Sequence, residues 1–277
     1  PTGVDAANLP QGMGVDGATG TLYAWLSLAG GSVQLASIDL HTGAATAVST
    51  PPAGQYVGAI PGCCFSPKGN FNVDQSVDIV FRNSSSNRMS IWLMDGAVRT
   101  GGFLVTPDPA DANWRVVATD DFDDETAPGS GPDGYRSDLL LRNFSTGALE
   151  FWLMNGTNRV DPAVPLTGAP PLGLEWELEA SGDFDGDESP DLVWRSTLTG
   201  EIRIWRLDAT AVIGTLTPSP SLAPHVNWRI VAALDFNHDG FRDLLWYNNT
   251  SGKAVLWLLD AVQVRQAGLF TNPANAG

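Results

Sequence analysis

Asp183-Phe184-Asp185-Gly186-Asp187-Glu188-Ser189-Pro190-Asp191, running straight into Leu192-Val193-Trp194, is the stretch whose reading decides the fold. Asp183, Asp185, Asp187 and Asp191 stand at positions 1, 3, 5 and 9 of a short loop. Alternate residues of a tight turn can point the same way, and carboxylates gathered so closely repel one another unless a cation sits between them. Hard oxygen donors of this kind suit calcium better than zinc or copper. For one such loop alone, a solvated acidic turn is the competing reading.

The loop recurs. Asp235, Asn237, Asp239 and Asp243 repeat the donors at the same spacing, again before an apolar run, Leu244-Leu245-Trp246. A third copy, Asn70, Asn72, Asp74 and Asp78, carries amides at its first two donor positions. A fourth opens with Asp121 and Asp123, is interrupted by a Pro/Gly-rich insertion, and ends on Asp138 before Leu139-Leu140-Leu141; its middle donor is either Glu125 or Asp133. Four copies in phase favour cation binding over a chance acidic turn, with the amide-rich and interrupted copies expected to be the weaker sites.

The copies define an internal repeat, which has to be read before any single element. Asp78, Asp138, Asp191 and Asp243 follow at intervals of 60, 53 and 52 residues, and Trp92, Trp152, Trp205 and Trp257 keep the same intervals. A second set, Trp114, Trp176 and Trp228, precedes the loops at intervals of 62 and 52. Each unit parses as four short strands: in one copy these are 176–180, 191–195, 201–207 and 211–216. In 201–207 the alternation puts Ile202, Ile204 and Leu207 near one buried surface, with one slip of phase. Four antiparallel strands per unit of roughly fifty residues describe a blade of a β-propeller, and a single blade cannot bury both of its faces. The expected fold is therefore all-β, a β-propeller of four-stranded antiparallel blades.

Five blades are expected in a single domain. Residues 56–110, 111–172, 173–224 and 225–277 form the loop-bearing blades, and residues 1–55 form a divergent first blade whose Gly14-Val15-Asp16-Gly17 offers one carboxylate. A ring of five could close within the chain; a longer ring completed by further blades is the alternative.

Composition narrows the functional classes. A net charge of −16 argues against nucleic acid and anionic membrane as partners, and no apolar run approaches a membrane span. No secretory signal is visible at Pro1, so a mature form or a fragment is expected. The two cysteines, Cys63 and Cys64, are adjacent, which leaves a strained vicinal disulfide or two thiols. N-x-S/T triplets begin at Asn83, Asn143, Asn155, Asn248 and Asn249. None of the three histidines, His41, His225 and His238, stands in a catalytic context, and no nucleophile or phosphate-cradling motif occurs. Strands expected to line a central channel, such as Val116-Val117-Ala118 and Val231-Ala232-Ala233, are small and apolar. No enzymatic activity is expected.

The stretches DFDGDESPDLVWRSTLTGEIRIWRLD and DFNHDGFRDLLWYNNTSGKAVLWLLD resemble the FG-GAP or VCBS repeats of bacterial extracellular proteins, related to the propeller of integrin alpha subunits. The resemblance covers residues 56–277. It implies that each loop joins two strands of a blade and binds calcium. By match the side-chain ligands would be Asp183, Asp185, Asp187 and Asp191, with the carbonyl of Ser189. In the second loop they would be Asp235, Asn237, Asp239 and Asp243, with the carbonyl of Phe241. The same positions in the other copies are Asn70, Asn72, Asp74, Ser76 and Asp78, and Asp121, Asp123 and Asp138. Position 6 departs from the family's Gly in Glu188 and Gln75, which puts a non-Gly residue where the turn needs an awkward backbone conformation.

These features point to a calcium-stabilised, extracytoplasmic module for protein-protein recognition or assembly, secreted, periplasmic or at the cell surface, with structural Ca2+ at several sites. The alternative is a lectin with sugar sites between blades. The ten tryptophans invite that reading, although their repeat-equivalent positions suit packing better. Arg82, Arg142 and Arg195 also recur, with Tyr247 in their place in the last copy. They bind either a ligand or the neighbouring blade.

Overall fold

The computed structural model describes four N-terminal strands and residues 69–270 apart from 73, 75, 84, 85, 96, 97, 124–136, 157, 161, 222–225, 238, 249, 252, 261 and 262. No helix occurs among the described residues. Cys63, Cys64, Gln75, Glu125, Asp133 and the three histidines lie outside them.

The strands group into antiparallel sheets in chain order. The first holds β1 (Met13–Val15), β2 (Leu22–Ser27), β3 (Val33–Ile38) and β4 (Ala45–Ser49), so the segment without an acidic loop is also four-stranded. The second holds β5 (Ile79–Arg82), β6 (Met89–Asp95) and β7 (Val98–Val105). The third is built from β8 (Trp114–Asp120), β9 (Asp138–Asn143) and β10 (Leu149–Trp152). A two-stranded hairpin of β11 (Met154–Asn155) and β12 (Asn158–Arg159) follows, and β13 (Val164–Pro165) closes the third sheet against β10. The fourth holds β14 (Trp176–Gly182), β15 (Asp191–Ser196), β16 (Ile202–Asp208) and β17 (Ala211–Leu216). The last holds β18 (Trp228–Leu234), β19 (Asp243–Asn248), β20 (Ala254–Asp260) and β21 (Gln263–Phe270). The chain forms two compact units, Pro1–Pro165 and Leu166–Gly277.

The second strand of the sheet carries the apolar run after each loop, and in β9 and β15 every residue is buried. A strand covered on both faces reads as a continuous apolar run rather than an alternating one, as Asp-Leu-Leu-Leu and Asp-Leu-Val-Trp do. In Pro1–Pro165 the core joins two sheets, with Phe71, Val80, Met89, Ile91 and Val105 packing with Leu139, Leu141, Trp152 and Met154.

The slip of phase expected in the third strand shows in β16, where Ile204 and Trp205 are buried in succession. The β-bulge lies in the fourth strand: Arg206 pairs with Gly214 and Leu207 with Val212, so Ile213 is the extra residue, and Thr100 in β7 and Arg265 in β21 are extra at the equivalent places. The third strand runs on past its ladder with the second, whose last pairs are Leu192 with Trp205, Leu244 with Trp257, Leu139 with Trp152 and Ile79 with Trp92. The amide two residues beyond that tryptophan matters for the loops.

Candidate metal-binding loops and their aspartate staples

Loops 183–191 and 235–243 connect the first and second strands of their sheets, as does the interrupted segment between β8 and β9. At the end of every copy stands a buried aspartate whose two oxygens are both engaged by backbone. Asp191 accepts from Phe184 N at 2.9 Å and from Leu207 N at 3.2 Å. Asp243 accepts from Phe236 N and Leu259 N, each at 2.8 Å. Asp78 accepts from Phe71 N at 2.8 Å and Met94 N at 2.9 Å. Asp138 accepts from Phe122 N at 3.0 Å and Met154 N at 2.7 Å.

Each aspartate therefore staples the start of its loop to the third strand. In all four copies the second donor is the amide two residues past the last third-strand residue paired with the second strand, Trp92, Trp152, Trp205 or Trp257. The sequence reading gave this residue one role, that of cation ligand. A signal for the staple was present, since the residue whose amide is held lies 16 positions downstream in all four copies. Burial strips water from these carboxylates and favours their neutral form. It pushes Asp78 up to about 6, Asp191 up to about 7 and Asp138 up to about 8, and raises Asp243 as well.

Positions 1, 3 and 5 shape the loop. Asp183 accepts from Asp185 N at 3.2 Å, Gly186 N at 2.6 Å and Glu188 N at 3.0 Å, while Asp187 accepts from Ser189 N at 3.0 Å. Asp235 likewise accepts from Asp239 N at 3.1 Å and Gly240 N at 3.0 Å, and Asp239 from Phe241 N at 2.9 Å. In the amide-bearing copy Asn70 accepts from Asp74 N at 3.1 Å and Asp74 from Ser76 N at 2.8 Å. The strain expected at position 6 is present: Glu188 has φ +70°, and Gly240 at the same place has φ +92°.

Carboxylate oxygens of Asp183, Asp185 and Asp187 lie within 4.8 Å of one another, and so do those of Asp121, Asp123 and Asp138. Clustered carboxylate and amide oxygens on a turn fit a hard divalent cation such as calcium. The side-chain donors that meet these carboxylates differ between copies. In two loops the position-3 amide donates to the position-5 carboxylate, Asn72 to Asp74 at 2.7 Å and Asn237 to Asp239 at 2.8 Å. In loop 183–191 the partner is Arg206, which donates through Nε to Asp185 and lies 3.5 Å through Nη2 from Asp187.

The tryptophans are packing residues. Of the nine whose side chains are described, eight are buried and Trp114 is half-buried. Trp194 pairs with Trp205 at 5.1 Å and Trp246 with Trp257 at 4.8 Å, and guanidinium groups cover others, Arg159 lying 3.8 Å from the Trp152 ring centre. The recurring arginines are occupied within the chain. Arg82 donates to Asn87 and to the carbonyl of Ala112, and Arg142 lies 5.7 Å from the Phe144 ring centre.

Arg195, fully buried, donates to Glu179 at 2.7 Å. Glu179 also accepts from Arg229 at 3.0 Å and from Ile230 N at 2.9 Å, so one carboxylate ties β14 and β15 to β18; Arg229 reaches Glu177 as well. Burial raises the Glu179 carboxyl, against the pull of Arg195. Sequence reasoning passed over this carboxylate. Its signal was a Glu three residues after Trp176, where Val117 and Val231 follow Trp114 and Trp228.

Residues 183–246, which hold both intact loops and β15 to β18, match the family model of the FG-GAP-like repeat. No curated protein matches the sequence. Similar solved structures include the dihydro-heme d1 dehydrogenase NirN, at 12% identity over 92% of this chain and 46% of that one, with a TM-score of 0.44. An auxiliary nutrient binding protein from Bacteroides thetaiotaomicron is similar at 11% identity over 97% and 58%, with a TM-score of 0.44. A protein of unknown function from Bacteroides caccae is similar at 10% identity over 86% and 69%, with a TM-score of 0.43. The chain spans about half the length of the first two, 46% and 58%. Nothing about its own chemistry follows from them.

Proposed function

We propose that this chain is a non-enzymatic, calcium-stabilised β-propeller of five blades that works outside the cytoplasm as a protein-protein recognition or assembly module. The observation that carries the reading is the same oxygen-rich loop, ended by the same doubly bonded aspartate, in four copies. Calcium at positions 1, 3 and 5 would neutralise carboxylates that otherwise repel, and would fix the rim on which a partner rests. The oxygen donors of Asp183, Asp185, Asp187 and the carbonyl of Ser189 would hold one ion. Asp235, Asn237, Asp239 and the carbonyl of Phe241 would hold a second. Asn70, Asn72, Asp74 and the carbonyl of Ser76 form a weaker third set, and Asp121, Asp123 and Asp138 a fourth. Millimolar calcium, as found outside cells, suits loops of this charge.

Buried tryptophans favour the protein-partner reading over the lectin, since an indole inside the core offers no face for a sugar. Calcium titration by calorimetry, with thermal melting in calcium and in EGTA, tests the proposal. Several bound ions and a melting point that falls on chelation are expected. Melting unaffected by chelation, with no heat of binding, overturns it. A glycan array run in calcium and in EGTA should stay blank, and calcium-dependent glycan binding would replace the recognition module with a lectin.

A further inference from the structure

Counted by charge, loop 183–191 should be the tightest calcium site, because it carries Asp183, Asp185, Asp187, Glu188 and Asp191. The geometry contradicts that ranking. Two of the three converging carboxylates, Asp185 and Asp187, already face a guanidinium from the third strand of their own sheet. We infer that Arg206 is the built-in cation of this loop: it competes with a divalent ion for Asp185 and Asp187 and makes loop 183–191 the copy whose folding depends least on calcium. The inference rests on reading the loops as calcium sites.

Three observations support it. First, Arg206 follows Trp205, and the residues that follow Trp92, Trp152 and Trp257 in the other copies are Leu93, Leu153 and Leu258. The charge is peculiar to this copy, one of the two whose position 3 is a carboxylate, Asp185 here and Asp123 in the interrupted loop. Second, the Arg206 stem is unobstructed across the sheet: Arg206 pairs with Gly214, and even a Cβ there would only touch Arg206 Cδ at an ordinary contact distance of 3.9 Å. Third, Asn72 and Asn237 show the same need met differently. Each turns an amide donor on the position-5 carboxylate, and a neutral amide can turn its oxygen to a cation instead. A guanidinium has no acceptor to offer, so an ion can enter only as Arg206 leaves.

Removing a unit charge this close to a divalent ion should tighten binding at least about tenfold, even with the screening of a partly exposed site. The test uses the full chain in four forms: wild type, Arg206→Leu, Arg206→Lys and the double variant Arg206→Leu with Asp187→Asn. Calcium is titrated by calorimetry, and melting is recorded in EGTA and in excess calcium. Arg206→Leu should gain affinity about tenfold or more, and its melting gap between calcium and EGTA should widen. Arg206→Lys should behave as wild type, and Asp187→Asn should erase the gain. If Arg206→Leu does not fold in EGTA but folds in calcium, the in-chain cation is supported directly. Wild type and Arg206→Leu binding calcium with the same affinity and the same melting gap overturns the inference and leaves the calcium reading intact. No calcium response in either overturns both.

Discussion

Replacing Asp191 by Asn separates the two roles that position 9 of the loop could have. Asp191 has no exposed surface and accepts from Phe184 N and Leu207 N. An Asn of the same shape keeps one acceptor, and its NH2 then faces the second backbone N–H. A buried donor left without a partner costs about 1–3 kcal/mol, and the surviving bond loses its charge assistance. The expected loss is therefore about 2–3 kcal/mol. For a chain of this size that corresponds to a melting point lower by about 4–12 °C, at ~2–4 °C per kcal/mol. Urea unfolding followed by tryptophan fluorescence at pH 8, where Asp191, raised to about 7, is ionised, reads the loss once in EGTA and once in excess calcium. The staple predicts the full loss in EGTA. Asp187→Asn is the comparison: Asp187 is partly exposed and accepts from Ser189 N through an oxygen that Asn retains, so its cost in EGTA should stay within about 0.5 kcal/mol. If Asp191→Asn costs less than about 0.5 kcal/mol in EGTA and is destabilising only in calcium, position 9 is a ligand and the staple is refuted.

The terminal aspartates also set a pH dependence. Burial raises Asp78, Asp138 and Asp191 to about 6, 8 and 7, above the ordinary carboxylate value, so the ion-free folded state holds protons that the unfolded chain has released. Their contribution is fully present below about pH 4, the unfolded value, and is lost as the pH rises through the folded values, so urea midpoints in EGTA should fall from pH 5 to pH 8. Midpoints that climb over that range would contradict it. Glu188→Gly removes a side chain from a residue at φ +70° and should stabilise by about 0.5–1 kcal/mol in the same urea assay; a loss would show that Glu188 makes a compensating contact. Glu179→Gln leaves the buried Arg195 uncompensated and should cost about 3–5 kcal/mol, part of it recovered in the double variant with Arg195→Met. An unchanged urea midpoint for Glu179→Gln would show that the carboxylate is not needed by its three donors.

The strands and their grouping were legible because the chain repeats itself. Trp176, the acidic loop, Asp-Leu-Val-Trp and Trp205 recur at fixed offsets, and each copy corrects the ambiguity of the others. The partner of the Leu207 amide was not visible, since periodicity records where a side chain points and not where a backbone amide is aimed. The Glu179 network was not legible for a related reason. Its meaning lies in Arg229 and the Ile230 amide, 50 and 51 residues downstream, and no local pattern links them. The direction of Arg206 was equally hidden, because a long side chain on a half-exposed strand can reach either edge.

Comparison of the four copies argues that the motif joins two separable functions. At the donor positions the copies drift: Asp183 is matched by Asn70, Asp185 by Asn72 and Asn237, and the segment after Asp123 is interrupted altogether. At position 9 they do not drift at all, and Asp78, Asp138, Asp191 and Asp243 keep the same pair of backbone partners whatever the donors have become. A residue needed only as a ligand would be free to vary with the rest of its site. One that satisfies two backbone amides is held by the sheet itself, because losing it orphans donors most of which are buried. The final aspartate thus belongs first to the fold, and the variable positions before it are where this chain can tune each loop between an amide, an arginine and an ion.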